Sequence, residues 1–356
     1  MFLKEFSQFQ NLNKNKLVLG ASCSDLIFNI LFTCKNLIKK KLVIVPANSF
    51  TAVPSAVVRA GLKLKIIDIE KDTGNISLDS LKKINRTEIG CVFLTHYGGI
   101  PVDISKIKKI VGKKVLIFED CACALGSFYK KKVCVGSKGD FSCWSFDPMK
   151  MITCGEGGIA YIRNSKILRS FKENISLGLK NNKLSGHQLA KKQNKWWEYQ
   201  LMDYGTRSVF TEIDAAIGLP QLKKINLALK KRQKIRDTYI AHLKTLVSIK
   251  VINNKNGKNY SNYFLTIFVK KRNNLANFLY QNKVYSSLRY YSLNKVKIFK
   301  KYCTYSNFYN ANFFSKYALN LPIHQNLKLK EVRKICRLIN FFINNSTHQK
   351  FLSLDS

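Results

Sequence analysis

An α/β chain with a mostly parallel sheet, helices on both faces and a smaller C-terminal α+β unit is the fold class that this sequence predicts. Three observations carry it. Short apolar strands alternate with helical stretches through residue 163. A long helical stretch at 211–246 then separates this region from a second, shorter set of elements. A chain of 356 residues with 46% hydrophobic content has enough apolar surface for one large domain and one smaller one. The expected division is 1–236 for the large domain and 237–356 for the small one.

The elements follow in order. Residues 3–10 read as a short helix with Leu3, Phe6 and Phe9 on one side. LVLG (17–20) is a strand, and ASCSD (21–25) is a small-polar turn into the helix LIFNILFTCKNLI. Strands are predicted at 41–47, 63–69, 89–97 and 115–121, and helical stretches at 55–62, 78–84 and 104–112. DFSCWSF (140–146) and GIAYIR (158–163) continue the sheet. The polar, lysine-rich stretch 164–203 reads as a long, mobile surface connection. Within 211–246 a helix, a break near Pro220 and a long helix are expected. A strand at 262–269, a helix at 276–283 and a last amphipathic helix at 329–345 make up the small domain.

Composition excludes several classes. The net charge is +40, from 61 Lys and Arg against 21 Asp and Glu. Such a balance fits an anionic partner, but the lysines are spread along the chain and no basic helix or aromatic-basic platform supports nucleic-acid binding. They read as solvated surface that would still attract a nucleotide-linked substrate. The ten cysteines form no C-x-x-C pair and no histidine pair has ligand spacing, so no metal site is expected. No segment resembles a signal peptide or approaches the roughly 20 apolar residues of a membrane span, and a cytoplasmic protein is expected.

The stretch from Phe118 to Gly158 holds the chemistry. Glu119-Asp120 ends the apolar run VLIF, and Lys150 follows the strand DFSCWSF just before the turn 155–158, GEGG. In an open α/β sheet, ligands sit beyond the strand C-termini, where Ser24, Phe50, His96 and Asp120 are expected. A lysine that can form a Schiff base and an acid that can pair with a pyridine nitrogen are what pyridoxal phosphate requires. The helix start after Ser22-Cys23-Ser24 offers free N–H groups and hydroxyls to a phosphate. His96 reads most simply as a hydrogen-bonded strand-end histidine. No G-x-G-x-x-G supports a nicotinamide cofactor.

Six segments occur in an order that resembles the DegT/DnrJ/StrS family of pyridoxal phosphate-dependent nucleotide-sugar aminotransferases. They are VIVPANSFTAVPSAVVRAGLKLKIIDIEKDTGNISLDSL, THYGGIPVDI, FEDCACALGS, GSKGDFSCWSFDPMKMITCGEGG, TEIDAAIGLPQL and NLPIHQNL. The resemblance implies the aspartate-aminotransferase (type I) fold. It gives Lys150 the Schiff-base and proton-shuttle position and Asp120 the pyridine-nitrogen position. Ser145, Ser24 and the Cys23 backbone fill phosphate positions, and Phe50 the aromatic position over the cofactor ring. Cys123 stands in a cofactor-contact position where family members commonly carry Gln or His. Asp147 stands before Pro148 where His is frequent. Many members have G-x-N-x-R where this chain reads Gly205-Thr206-Arg207-Ser208-Val209, closer to a subgroup with G-S-S-Y. Arg207 or Ser208 is the expected contact to the partner subunit's cofactor phosphate. Family members usually carry a further N-terminal stretch that shapes the sugar site. A related branch with histidine in place of the lysine dehydrates its sugar, and Lys150 argues against that branch.

The expected function is transfer of an amino group, from glutamate, to a keto-sugar on a nucleoside diphosphate, at C4 in preference to C3. The expected context is a cytoplasmic homodimer serving surface-polysaccharide, lipopolysaccharide or glycoconjugate synthesis. A non-catalytic relative acting as a binding or regulatory protein is the alternative.

Overall fold

Continuous apolar runs, buried on both faces, build the central sheet. The computed structural model describes residues 1–38, 42–130, 133–180, 197–252, 259–304 and 307–345. Seven strands form the sheet: β1 (Leu17–Gly20), β2 (Leu42–Pro46), β3 (Lys63–Ile67), β4 (Ile89–Thr95), β5 (Leu116–Asp120), β8 (Phe141–Ser145) and β9 (Gly158–Ile162). The order is β1-β9-β8-β5-β4-β2-β3, and only β9 pairs antiparallel to its neighbours. The short strands β6 (Phe128–Lys130) and β7 (Val133–Cys134) form a separate hairpin between β5 and β8.

Period-two alternation sends successive residues of β4 to opposite layers. Cys91 and Phe93 join one core with helices α2 (Cys23–Ile38), α3 (Ala52–Arg59) and α6 (Ser165–Asn174). Val92 and Leu94 join the other with α4 (Leu78–Lys82) and α5 (Ile104–Val111). Helix α1 (Phe2–Gln10) packs Phe2 and Phe6 edge-on against Phe146 and Trp144, from the turn after β8 and from β8 itself.

Helix α7 (Glu212–Lys223) opens with a capping box between Thr211 and Asp214 and leads into α8 (Ile225–Leu243). The second half of α8 packs on a three-stranded antiparallel sheet, β10 (Lys250–Val251), β11 (Leu265–Phe268) and β12 (Ala318–Leu321). Helices α9 (Arg272–Gln281) and α11 (Leu329–Asn345) cover that sheet, while α10 (Tyr309–Tyr317) turns Phe314 back toward the first core. No helix among the described residues is long and apolar enough to cross a membrane.

Two sequence expectations are corrected. The stretch after 164 is not a mobile connection in its described part. Asn164 caps α6 through the N–H groups of Lys166 and Ile167, and Leu168 and Phe171 are buried. Isolated bridges then pair Ser176 with Arg207 and Leu179 with Leu201. Lysines at the exposed positions masked the apolar spacing of this helix. The rest of the expected connection, 181–196, lies outside the described residues. The second correction concerns Pro220, which sits inside α7, while the break falls at Lys224. Gln221 holds that last turn, its side-chain amide donating to the Ile217 and Thr153 carbonyls at 2.9 and 2.7 Å.

Glu119 fixes the C-terminal edge of the sheet. The side chain is wholly buried. Its Oε2 accepts from the Tyr129 hydroxyl at 2.5 Å, the Gly136 N–H at 2.8 Å and His96 Nε2 at 3.0 Å. Its Oε1 accepts from the Lys138 N–H at 2.9 Å and from the Gly139 N–H. The Val102 N–H donates to His96 Nδ1 at 3.1 Å, so the neutral ring keeps its proton on Nε2 and gives it to Glu119. Gly136 has φ +97°, and a Cβ there would collide with the Trp144 ring. Burial opposes the Glu119 charge, yet the donors, His96 first, hold the carboxyl below its ordinary value of 4.5. A depressed value contributes stability that is complete above the unfolded-state value and is lost as the pH falls through the folded-state value. Glu119→Gln is expected to destabilise the cofactor-free protein by about 3 kcal/mol at neutral pH, because one partner of a buried network is removed. In urea unfolding followed across pH, the gap between the two proteins should narrow as the pH drops below 4.5.

Candidate active site

A cavity of about 540 Å³ opens beyond the C-terminal ends of β1, β5 and β8. Local turns supply its chemistry. After β8, Pro148 presets a tight turn. The Met149 N–H donates to Asp147 Oδ1 at 2.9 Å, and the Lys150 N–H donates to the Asp147 carbonyl at 2.9 Å. The turn exposes Met149 and sends Lys150 into the cavity wall. Burial works to lower the Lys150 amine, while the anionic forms of Cys123, Tyr263, Cys23 and Asp120 work to raise it, and the net direction is upward.

Asp120 ends β5 and is 5% exposed. Its Oδ1 accepts from the Ala122 N–H at 3.0 Å. Burial pushes the carboxyl up, and the Ala122 N–H, Lys150, His96 and Thr95 pull only part of that back. A cation in the cavity would complete the charge balance of this site.

The third part is the start of α2. The Ser22 hydroxyl caps its own helix by accepting from the Asp25 N–H at 3.1 Å. Cys23 and the exposed Ser24 then line the cavity, with Ser145 and Phe50 nearby. Close approach of the β9 turn shapes this corner, because a Cβ on Gly158 would lie 2.6 Å from the Cys23 nitrogen. The approach also brings Glu156 to the cavity. Phe50 is 51% exposed at the rim, its ring centroid 5.7 Å from that of Tyr290.

The cavity thus brings together Lys150, Asp120, Ser145, Ser24, Cys23 and Phe50. Cys123 stands behind its wall, Sγ 3.4 Å from the Tyr290 hydroxyl. Arg207 and Ser208 do not line it. The Ser208 hydroxyl accepts from the Ala21 N–H at 3.0 Å, and Arg207 is exposed. His96 has the plain hydrogen-bonded role that its strand-end position implies. It lies near Glu119 and Cys121, a trio with metal-ligand atoms. Both Glu119 oxygens and both His96 nitrogens already serve hydrogen bonds, which leaves that trio no free donor pair for an ion.

Sequence reasoning missed three residues of the smaller unit. Arg289 and Tyr290 line the cavity. The Lys150 Nζ lies 5.5 Å from the centroid of the Tyr263 ring, and the Tyr263 hydroxyl donates to the Met149 carbonyl at 2.9 Å. Buried Arg232 in turn holds the Tyr263 carbonyl at 3.1 Å. The run SLRYYSL (287–293), a cation beside paired aromatics, was the signal for Arg289 and Tyr290. Tyr263 sat inside an apolar strand pattern and gave none.

The donor set fits a flat, phosphorylated pyridine. A helix N-terminus, two serines, a buried carboxylate, a lysine and an aromatic ring line one cavity.

Comparison with known proteins agrees with this chemistry. The chain is 28% identical over 297 residues to dTDP-4-dehydro-2,3,6-trideoxy-D-glucose 4-aminotransferase of Saccharopolyspora spinosa, covering 82% of this chain and 76% of that protein. It is 28% identical over 308 residues to GDP-perosamine synthase of Vibrio cholerae, covering 85% and 80%. The fold matches the aminotransferase TlmJ from Streptoalloteichus hindustanus with a TM-score of 0.85 at 25% identity, over 97% of this chain and 90% of the other. It also matches Helicobacter pylori PseC, an aminotransferase involved in the biosynthesis of pseudoaminic acid, with a TM-score of 0.86 at 21% identity over 97% and 90%, a likeness of fold alone. The model of one family spans residues 2–340. The chain therefore belongs to the DegT/DnrJ/EryC1/StrS aminotransferase family, whose members depend on pyridoxal phosphate.

Proposed function

We propose that this protein transfers an amino group from glutamate to a nucleotide-linked keto-sugar, at C4 in preference to C3. The observation that carries the reading is the convergence of Lys150, Asp120 and the α2 N-terminus on one cavity. The C4 preference rests on relatives such as the Saccharopolyspora spinosa 4-aminotransferase.

Pyridoxal phosphate, when bound, supplies an electron sink for charge at the substrate carbon. Lys150 would hold it through the Nζ, which would also serve as the proton-transfer group at the substrate carbon. Asp120 would pair with the protonated pyridine nitrogen. Ser24, Ser145 and the Cys23 N–H would hold the phosphate, and Phe50 would contact the ring. Cys123 supports Tyr290 from behind. We place residues 1–236 in the cofactor domain and 237–356 in the smaller one, and infer a cytoplasmic homodimer in which Arg207 or Ser208 reaches the partner's phosphate. The product would enter surface-polysaccharide or glycoconjugate synthesis.

A binding protein without catalysis is the competing reading, motivated by Cys123 and by the sequence at 205–209. The two readings separate on a spectrum. The protein incubated with pyridoxal phosphate should develop a visible band that glutamate bleaches, and Lys150→Ala should lose that lysine-linked band. A wild type that stays colourless after incubation would remove the aminotransferase reading. Asp120→Asn should keep the fold and bind the cofactor, yet slow glutamate bleaching about a hundredfold or more, the cost expected when a preorganised charge is deleted.

A further inference from the structure

The large sheet has a second cavity, at the end opposite the first. We propose that it binds a phosphorylated small molecule of nucleotide size, an inference independent of the aminotransfer reading.

This cavity of about 450 Å³ opens at the N-terminal ends of β4 and β5, beside the last turns of α2 and α5. Strand β5 starts here at Leu116 and reaches the other cavity at Asp120, roughly 13 Å away at the rise of a strand. Buried Ile89, Val111 and Val115 supply an apolar wall, and exposed Leu37 joins them. Arg86, Lys113 and Lys114 supply the charge, and among the described residues no acid lines the cavity. The first cavity, by contrast, sets Asp120, Asp147 and Glu156 against its cations. Among the described residues none of these three cations forms an ion pair. Glu88 shares the turn of Arg86 but does not line the cavity.

A helix dipole does not account for the three charges. Lys108 and Lys109, in the last turn of α5, already answer the negative end of that helix. Lys113 and Lys114 lie beyond it, past Gly112, and Arg86 comes from a different turn. The strand register marks the same place. Leu42 pairs with Ile89 and Val43 with Cys91, so β2 passes over Gly90, and the ladder with β5 begins only at Cys91. An irregularity of this kind re-aims the backbone and recurs beside functional sites. Gly90 lines the cavity.

Positive charge beside an apolar wall fits a ligand that carries both kinds of surface. Phosphate oxygens match the guanidinium fork and two ammonium groups, and a small organic body rests on the aliphatic side chains. A concavity between two helix ends and a turn suits such a molecule better than a strand of nucleic acid, which needs a groove that tracks its backbone.

The test uses the full-length, cofactor-loaded protein at physiological salt. Exposed lysines are acetylated with and without UDP or pyrophosphate, and each site is counted by peptide mass spectrometry. The labelling reads this cavity alone, whatever the first cavity binds. Saturating UDP and pyrophosphate should each slow acetylation of Lys113 and Lys114 about threefold or more, and leave Lys330 and Lys334 on α11 unchanged. Arg86→Gln, at an exposed position, should need about tenfold more ligand for the same protection. A charge control, Lys328→Gln with Arg333→Gln, should need no more than about twofold extra, because salt screens surface charge that makes no contact. No protection of Lys113 and Lys114 would overturn the proposal, as would equal protection of Lys330 and Lys334. Unchanged protection in Arg86→Gln, or a loss as large in the charge control, would overturn it too. Protection by single-stranded DNA but by neither small probe would replace it with a polymer-binding face. Were Arg86→Gln to misfold, the wild-type labelling pattern would still decide.

Discussion

A buried carboxylate with more than one donor on each oxygen is the constraint on which this architecture depends. Glu119 cannot leave its place without stranding a histidine N–H, a phenol and three backbone N–H groups in a dry interior. It joins β5 to the turn that starts β8, and it orients His96 at the end of β4. The next residue along β5 is Asp120. The strand register that pairs Asp120 with Cys143 then sets the acid beside the strand that leads to Lys150. A structural carboxylate and a chemical one are thus neighbours in sequence, pointing to opposite sides of one strand.

The cavity is built from opposed preferences. Asp120 is desolvated enough for its charge to be disfavoured, while the acidic groups around Lys150 work against the desolvation of its amine. A cationic heterocycle would satisfy the first. The polypeptide holds these groups in position before any ligand arrives, which is where preorganised electrostatics acts.

Much of the large unit was legible because its strands are apolar on both faces and its turns carry Gly, Pro and Ser at the places that backbone geometry demands. Lys150, Asp120 and the α2 turn were readable because each lies at a strand's end, where a short polar interruption stands out. Helix α6 was missed because Lys166, Arg169 and Lys172 interrupt its few apolar residues, and charge hid the spacing. Pro220 was misjudged because side-chain hydrogen bonds from Gln221 support the turn that proline weakens. Arg289, Tyr290 and Tyr263 reach the cavity only through tertiary packing, which places elements distant in sequence on one wall. No local pattern encodes that arrangement.

The Tyr263 hydroxyl has one further consequence. It bonds the main chain of the residue before Lys150, so the lysine turn is tethered to the segment that leads into β11. Arg232 on α8 grips the other end of the same tyrosine. The two units are therefore mechanically coupled at the point of chemistry. Exchanging the C-terminal part with that of another family member would transplant a piece of the lysine's support along with the small sheet. Substrate scope and lysine alignment would then change together, so a chimera would have to carry the tyrosine, its arginine and the lysine turn as one inherited unit.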